Sequence, residues 1–175
     1  FTLDTTDDVF ADNGETIIVA IDSVVDTDTV FEAIAEDGVQ SVTTTITDET
    51  NPYDPTDADQ PNEKDAVLVT LTGPATVVEG ETTAIYTVTL DTAIPAGGAG
   101  VVVNFTYTGT ATDGTDYTSQ GSVTVAAGSD TATFTLDTTD DVFADNGETI
   151  IVAIDSVVDT DTVFEAIAED GVQSV

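Results

Sequence analysis

Five acids and an asparagine crowd the twelve residues Asp137-Thr-Thr-Asp140-Asp141-Val-Phe-Ala-Asp145-Asn146-Gly147-Glu148, and the same letters run from Asp4 to Glu15. Side chains that offer only hard oxygens suit a hard cation. Ca²⁺ takes about six to eight oxygen ligands and tolerates irregular geometry. Asp137, Asp140, Asp141, Asp145 and Glu148, with Asp7, Asp8 and Glu15 in the earlier copy, are therefore candidate Ca²⁺ ligands. Asp137 and Glu148 stand at positions one and twelve of an EF-hand-like spacing, but Val142 occupies the place of the required glycine and no helical pattern flanks the run, so that match is coincidental. Without a cation the same run reads as a solvated acidic turn.

A second set of acids lies in two other turns. Glu79 and Glu81 flank Gly80, and Asp113 and Asp116 belong to Thr112-Asp-Gly-Thr-Asp-Tyr117. If strands alternate up and down, several of these turns fall at one end of the fold, where their charges repel unless a cation lies between them. Asp48 and Glu49 open a connector that also carries Asp54, Asp57, Asp59, Glu63 and Asp65. An ion shared between Asp48 or Glu49 and a domain end would stiffen that joint. A self-repelling extended linker accounts for the connector acids equally well.

Other chemistry is poorly provided for. The chain has no His, Cys or Arg to partner a nucleophile. Paired carboxylates can in principle cleave glycosides, yet nothing in the pattern suggests a cleft, and no enzyme is expected. Asn104-Phe-Thr106 matches a glycosylation acceptor but falls on a strand pattern. Tyr86, Tyr107 and Tyr117 read as core or corner residues and not as a sugar-stacking platform.

Net charge decides the class of partner. Thirty-five Asp and Glu stand against one basic residue, Lys64, giving −34 on 175 residues. So much self-repulsion works against a compact state, but 40% of the chain is apolar, which is not the signature of disorder. The positive charge must come from outside, as divalent cations or high salt. Sign alone excludes nucleic acid and anionic membrane surfaces, and no apolar run is long enough for membrane insertion. The absence of cysteine removes any disulfide framework. An acidic, Thr-rich, cysteine-free β protein suits an extracellular setting.

The elements that must carry these turns have period two. Ala66–Thr72 opens a strand, Ala84, Tyr86, Val88 and Leu90 share one face, and Val101, Val103, Phe105 and Tyr107 share another. Ser122–Val125 is short, Thr131–Leu136 turns Ala132, Phe134 and Leu136 to one side, and Glu148–Val158 points Ile150, Val152 and Ile154 inward. Thr, Val and Ile dominate, as a half-buried pleated surface prefers. Thr162–Glu169 reads as an irregular approach to a last strand at Val172–Val175. About seven strands, with turn signals every eight to twelve residues, predict an all-β antiparallel sandwich.

One more feature orders all the others. Phe1 to Val42 recurs letter for letter as Phe134 to Val175, a spacing of 133. A domain-sized period reads as beads on a string, not as a solenoid. The expected organisation is the C-terminal half of a preceding repeat over 1–48, an acidic proline-containing connector over 49–64, and a nearly complete sandwich over 65–175 whose last strand is cut short. Two identical back halves then compete for one front half. An orphaned back half exposes strand edges and invites strand exchange with another chain.

Four stretches together carry a resemblance: Val78-Glu-Gly-Glu-Thr-Thr-Ala-Ile-Tyr-Thr-Val-Thr-Leu90, Gly109-Thr-Ala-Thr-Asp-Gly-Thr-Asp-Tyr117, Val125-Ala-Ala-Gly128 and Asp140-Asp-Val-Phe-Ala-Asp-Asn-Gly-Glu148. The segment from about Ala66 to Val175 resembles an Ig-like sandwich of the Calx-β type. In tandem, near-identical form it is similar to the extender repeats of giant RTX adhesins of Gram-negative bacteria, of the biofilm and ice-binding kind. The resemblance implies Ca²⁺ at acidic loops near domain junctions, favouring Glu79, Asp116, Asp140, Asp141 and Glu148, with Asp48 or Glu49 at the junction. Asp145 departs from the family pattern, which usually closes this turn with an acid followed by glycine. The implied role is a non-catalytic cell-surface spacer whose partners are identical neighbouring repeats and which projects a distal binding domain. Two alternatives are an acidic halophile surface repeat without specific Ca²⁺ dependence, and a sandwich that itself binds glycan or ice.

Overall fold

The structure, a computed structural model, describes residues 1–6, 8–11, 14–38, 40–47, 66–142 and 147–175. The chain divides into two compact units, Phe1–Thr6 with Asp12–Thr50, and Asp7–Ala11 with Asn51–Val175. Both are built of strands, and no helix occurs among the described residues.

The smaller unit is a hairpin of β1 (Thr16–Ala20) and β2 (Ser41–Thr45), paired antiparallel from Thr16 opposite Thr45 to Ala20 opposite Ser41. Inside its long loop the Asp26 carboxylate accepts hydrogen bonds from the N–H groups of Phe31 at 2.8 Å and Asp28 at 3.3 Å. These bonds hold its pKa below the ordinary carboxylate range, the Phe31 N–H contributing most.

The larger unit contains β3 (Ala66–Thr72), β4 (Tyr86–Leu90), β5 (Val101–Gly109), β6 (Tyr117–Thr118), β7 (Ser122–Val125), β8 (Thr131–Phe134), β9 (Asp137–Thr138), β10 (Ile150–Asp159) and β11 (Ala166–Glu169). One sheet has the order β11-β3-β4-β8, another β10-β5-β7, and β6 pairs with β9. Alternate residues explain why these strands stack. Val67, Val69 and Leu71 of β3, Val88 and Leu90 of β4, Val101, Val103 and Phe105 of β5, and Val152 and Ile154 of β10 are all buried in one core. Both large sheets therefore turn an apolar face inward, with Thr prominent on the outer face of β3 and β4, an arrangement consistent with a β-sandwich. Phe134 sits between Tyr86 and Phe105, with ring centroids 4.9 and 4.6 Å away.

Part of the β1–β2 pairing recurs in the second copy. Val152 and Val175 exchange backbone hydrogen bonds of 2.8 and 2.9 Å, and Ala153 bridges Ser174. These pairs match Val19 with Val42 and Ala20 with Ser41, 133 residues earlier. Burial differs sharply. Phe134, Leu136 and Ile154 are 9, 1 and 8% exposed, whereas Phe1, Leu3 and Ile21 are 101, 57 and 47% exposed. In the smaller unit these residues, with Val19 and Val42, line an open apolar groove of about 930 Å³.

The strand pattern needs four corrections. The stretch read as irregular, 162–169, ends in β11, which runs parallel to β3 from Ala166 opposite Ala66 to Glu169 opposite Val69, so the sheet is not wholly antiparallel. Val172–Val175 does not form a continuous strand: Ser174 makes an isolated bridge and Val172 is 91% exposed. The strand expected through Leu136 stops at Phe134, because Leu136 pairs with buried Thr83, accepting from its N–H at 2.8 Å and donating to its Oγ1 at 2.9 Å. Asp137, expected in a loop, then opens β9, whose partner β6 was not evident from its two residues.

Candidate functional site

Three acidic turns are stitched together at one end of the larger unit. In the first, Glu81 N–H bonds Val78 O at 3.1 Å, closing a turn through Gly80 at φ +75°. A Cβ on Gly80 would lie 2.8 Å from Cβ of Asp140, so both the backbone conformation and the close approach require glycine. Thr138 pins this turn to β9: its N–H reaches Glu81 O at 3.1 Å, and its hydroxyl lies 2.8 Å from Glu81 O and 3.1 Å from Val78 O. Across the same gap Thr82 donates to Asp137 Oδ1 at 2.6 Å, and the Glu79 carboxylate accepts from Asp141 N–H at 3.0 Å.

The second turn joins through Asp116. Its carboxylate accepts from Thr112 N–H at 2.6 Å, its N–H bonds Thr112 O at 2.9 Å, and its carbonyl accepts from Thr139 N–H at 2.8 Å. Threonines thus do most of the joining, since a β-branched hydroxyl can both fit a strand and bond a neighbouring backbone.

Between the joined turns lies a cavity of about 380 Å³, lined by Glu79, Asp116 and Glu148 with Thr138, Thr139 and Thr149, and floored by Tyr86 and Ile150. Burial raises the pKa of Tyr86, so this phenol is neutral at any ordinary pH.

Not every predicted ligand faces this cavity. Asp113 is turned to Ser119, accepting from its hydroxyl at 2.7 Å and its N–H at 2.9 Å, and these bonds lower its pKa, the hydroxyl contributing most. The Asp137 carboxylate is engaged by Thr82. Asp140 packs on Gly80, Asp141 joins through its backbone, and Glu81 does not line the cavity. Asp8 accepts from Phe10 N–H at 2.9 Å, and Glu15 lies just before β1, its carbonyl taking the Ile46 N–H at 2.8 Å. Asp7, Asp48, Glu49 and Asp145 lie outside the described residues, as does the connector.

The donor chemistry fits a hard cation, since every candidate ligand is an oxygen and no His or Cys is present. The spacing is open. Among the described residues, no three carboxylates converge closely enough to hold a metal ion, and Glu79, Asp116 and Glu148 ring the cavity without meeting in it.

A structural role for another acid was not foreseen. Asp159 accepts from Phe164 N–H at 2.9 Å and Asp161 N–H at 3.4 Å, closing the turn in which Thr162 adopts φ +55°. Asp26 and Thr29 reproduce this arrangement with φ +56°. The signal is Asp-Thr-Asp-Thr-Val-Phe, an acid placed to bond N–H groups two and five residues on. No family model, curated protein or solved structure matches the chain.

Proposed function

We propose that this chain is a non-catalytic extender from an array of Ig-like repeats on a bacterial cell surface, and that Ca²⁺ bound at the acidic end of each sandwich stiffens it. The observation that carries this reading is the placing of Glu79, Asp116 and Glu148, from three separate segments, around one cavity. Carboxylates so placed repel one another, and a divalent ion drawing them inward would convert that repulsion into a cross-link between turns. The letter-for-letter copy of 42 residues supports an array, because a spacer gains from number and not from diversity. The proposed partners are identical neighbouring repeats.

Ca²⁺ that binds the folded state alone stabilises it by mass action. Thermal unfolding in millimolar Ca²⁺, in chelator, and in chelator with NaCl or Mg²⁺ at matched ionic strength tests the reading. A rise in midpoint specific to Ca²⁺ supports it. Equal rescue by NaCl would overturn it in favour of the second reading, a halophile surface repeat, which the net charge of −34 favours.

A further inference from the structure

The segment 8–11 belongs to the first copy in sequence, but it packs as part of the larger unit. Val9 is 6% exposed and joins the core cluster of that unit. Phe10 stacks on Phe164 at 5.7 Å, and the two residues form an antiparallel bridge. Two backbone bonds frame the pair: Ala11 N–H to Val163 O at 2.9 Å, and Glu165 N–H to Val9 O at 3.0 Å. The Asp8 carboxylate accepts from Phe10 N–H at 2.9 Å and presets the local bend. This short strand is seated on the edge Val163–Glu165 by two apolar side chains and a backbone ladder.

Sequence identity supplies an internal control. Val142 is the same residue in the same stretch 133 positions later, and it is 94% exposed. Phe31 is the counterpart of Phe164 and is 63% exposed against 4%, although its Asp26 turn is the same as the Asp159 turn. Burial here is thus not a local property of either stretch. It arises where the strand from one copy meets the edge of the other.

We propose that the edge Val163–Glu165 is a docking site whose ligand is the Asp-Val-Phe-Ala strand of a neighbouring copy of this unit. Each copy then carries one strand to give and one edge to receive, a heterologous contact that propagates along an array. The contact is made by two apolar side chains and backbone hydrogen bonds. It rests on the array reading above only in needing a neighbour, and its test is run in chelator so that the two can fail separately.

The test uses the whole 175-residue chain and amide hydrogen exchange. In Val9→Asp with Phe10→Ala the Glu165 amide should lose at least about tenfold in protection, while the Val152 and Val175 amides keep theirs. The identical change at Val142 should leave Glu165 unaffected. A peptide of residues 6–13, added at high ionic strength to the emptied variant, should restore the protection and shift the Phe164 and Glu165 amide resonances; the same peptide with Asp in place of its valine should not. Phe10→Ala alone serves if the double variant unfolds. Undiminished protection of Glu165 in that variant would overturn the proposal. So would failure of the peptide to bind a folded, emptied unit, which would confine the strand to its own chain.

Discussion

The Glu79 carboxylate accepts a 3.0 Å hydrogen bond from the backbone N–H of Asp141, 62 residues later in the chain. The turn 78–81 and the segment after β9 are therefore held together by a bond that needs an acceptor oxygen but not a negative charge. Glu79→Gln keeps the acceptor and removes the charge. In chelator it should raise the thermal midpoint by roughly 2–4 °C through relief of repulsion with neighbouring acids. If the proposed Ca²⁺ binds at this cavity, the same change in millimolar Ca²⁺ should lower the midpoint by a similar amount. A shift of the same sign under both conditions would count against a cation at this cavity.

Val152 and Val19 make the sharpest packing comparison in the chain, because their neighbours in sequence are identical. Val152 is 0% exposed between the two sheets, and Val19 is 38% exposed on the groove of the smaller unit. Val152→Ala should destabilise the larger unit by about 1–3 kcal/mol through lost burial and a residual cavity. Val19→Ala should stay within about 0.5 kcal/mol. Urea unfolding of the two variants checks this, and equal costs would mean that the groove is covered in solution.

The strands were legible wherever buried apolar residues alternate with more exposed ones. Val67, Val69 and Leu71 announce β3, and Val101, Val103 and Phe105 announce β5, since period-two burial needs no knowledge of the partner strand. β11 was not legible: Ala166–Glu169 has two partly buried and two exposed residues, and what makes it a strand is its parallel ladder to β3, a hundred residues away. The same limit applied at the acidic end. Gly80 flanked by Glu79 and Glu81 signalled a turn, but the directions of Asp113 and Asp137 were decided by Ser119 and Thr82, hydroxyls that carry no distinctive pattern. Val9 and Val142 mark the extreme case, since no reading of identical letters can give them different fates.

Asp113 and Tyr107 give the pH dependence two distinct edges. Hydrogen bonds from the Ser119 hydroxyl and N–H lower the Asp113 pKa from 3.8 in the folded state, so its contribution is complete above the unfolded value and is lost as pH falls through the folded one. In Ser119→Ala the hydroxyl bond is gone, and the Asp113 titration followed by NMR should move upward toward 3.8. An unmoved midpoint would show that the hydroxyl is not the cause.

Tyr107 works at the other end of the scale. Its hydroxyl donates to Gln120 O at 2.7 Å, and burial pushes its pKa up to about 12. The neutral phenol is favoured by folding, so its contribution is present below the ordinary value of 10.0 and is lost as pH rises toward about 12. Tyr107→Phe should flatten the fall in stability over that window. Denaturant midpoints at several pH values between them would reveal whether it does.

Asp159 tests whether an acid in so negative a chain can be needed for its bonds and not for a cation. Its carboxylate caps Phe164 N–H at 2.9 Å, next to Thr162 in a left-handed conformation that β-branched residues adopt at a cost of about 1–3 kcal/mol. Asp159→Ala leaves a buried residue's N–H without its acceptor and should destabilise the larger unit by about 1–2 kcal/mol, even though it relieves repulsion. Asp159→Asn keeps an acceptor oxygen and should recover most of that loss. The equivalent Asp26→Ala removes the same bond beside an exposed Phe31 and should leave the unfolding midpoint of the larger unit unchanged. If Asp159→Ala instead stabilised the protein in chelator, charge repulsion would outweigh the capping bonds, and the repeated Asp-Thr-Asp-Thr-Val-Phe stretch would owe its acids to something other than its turn.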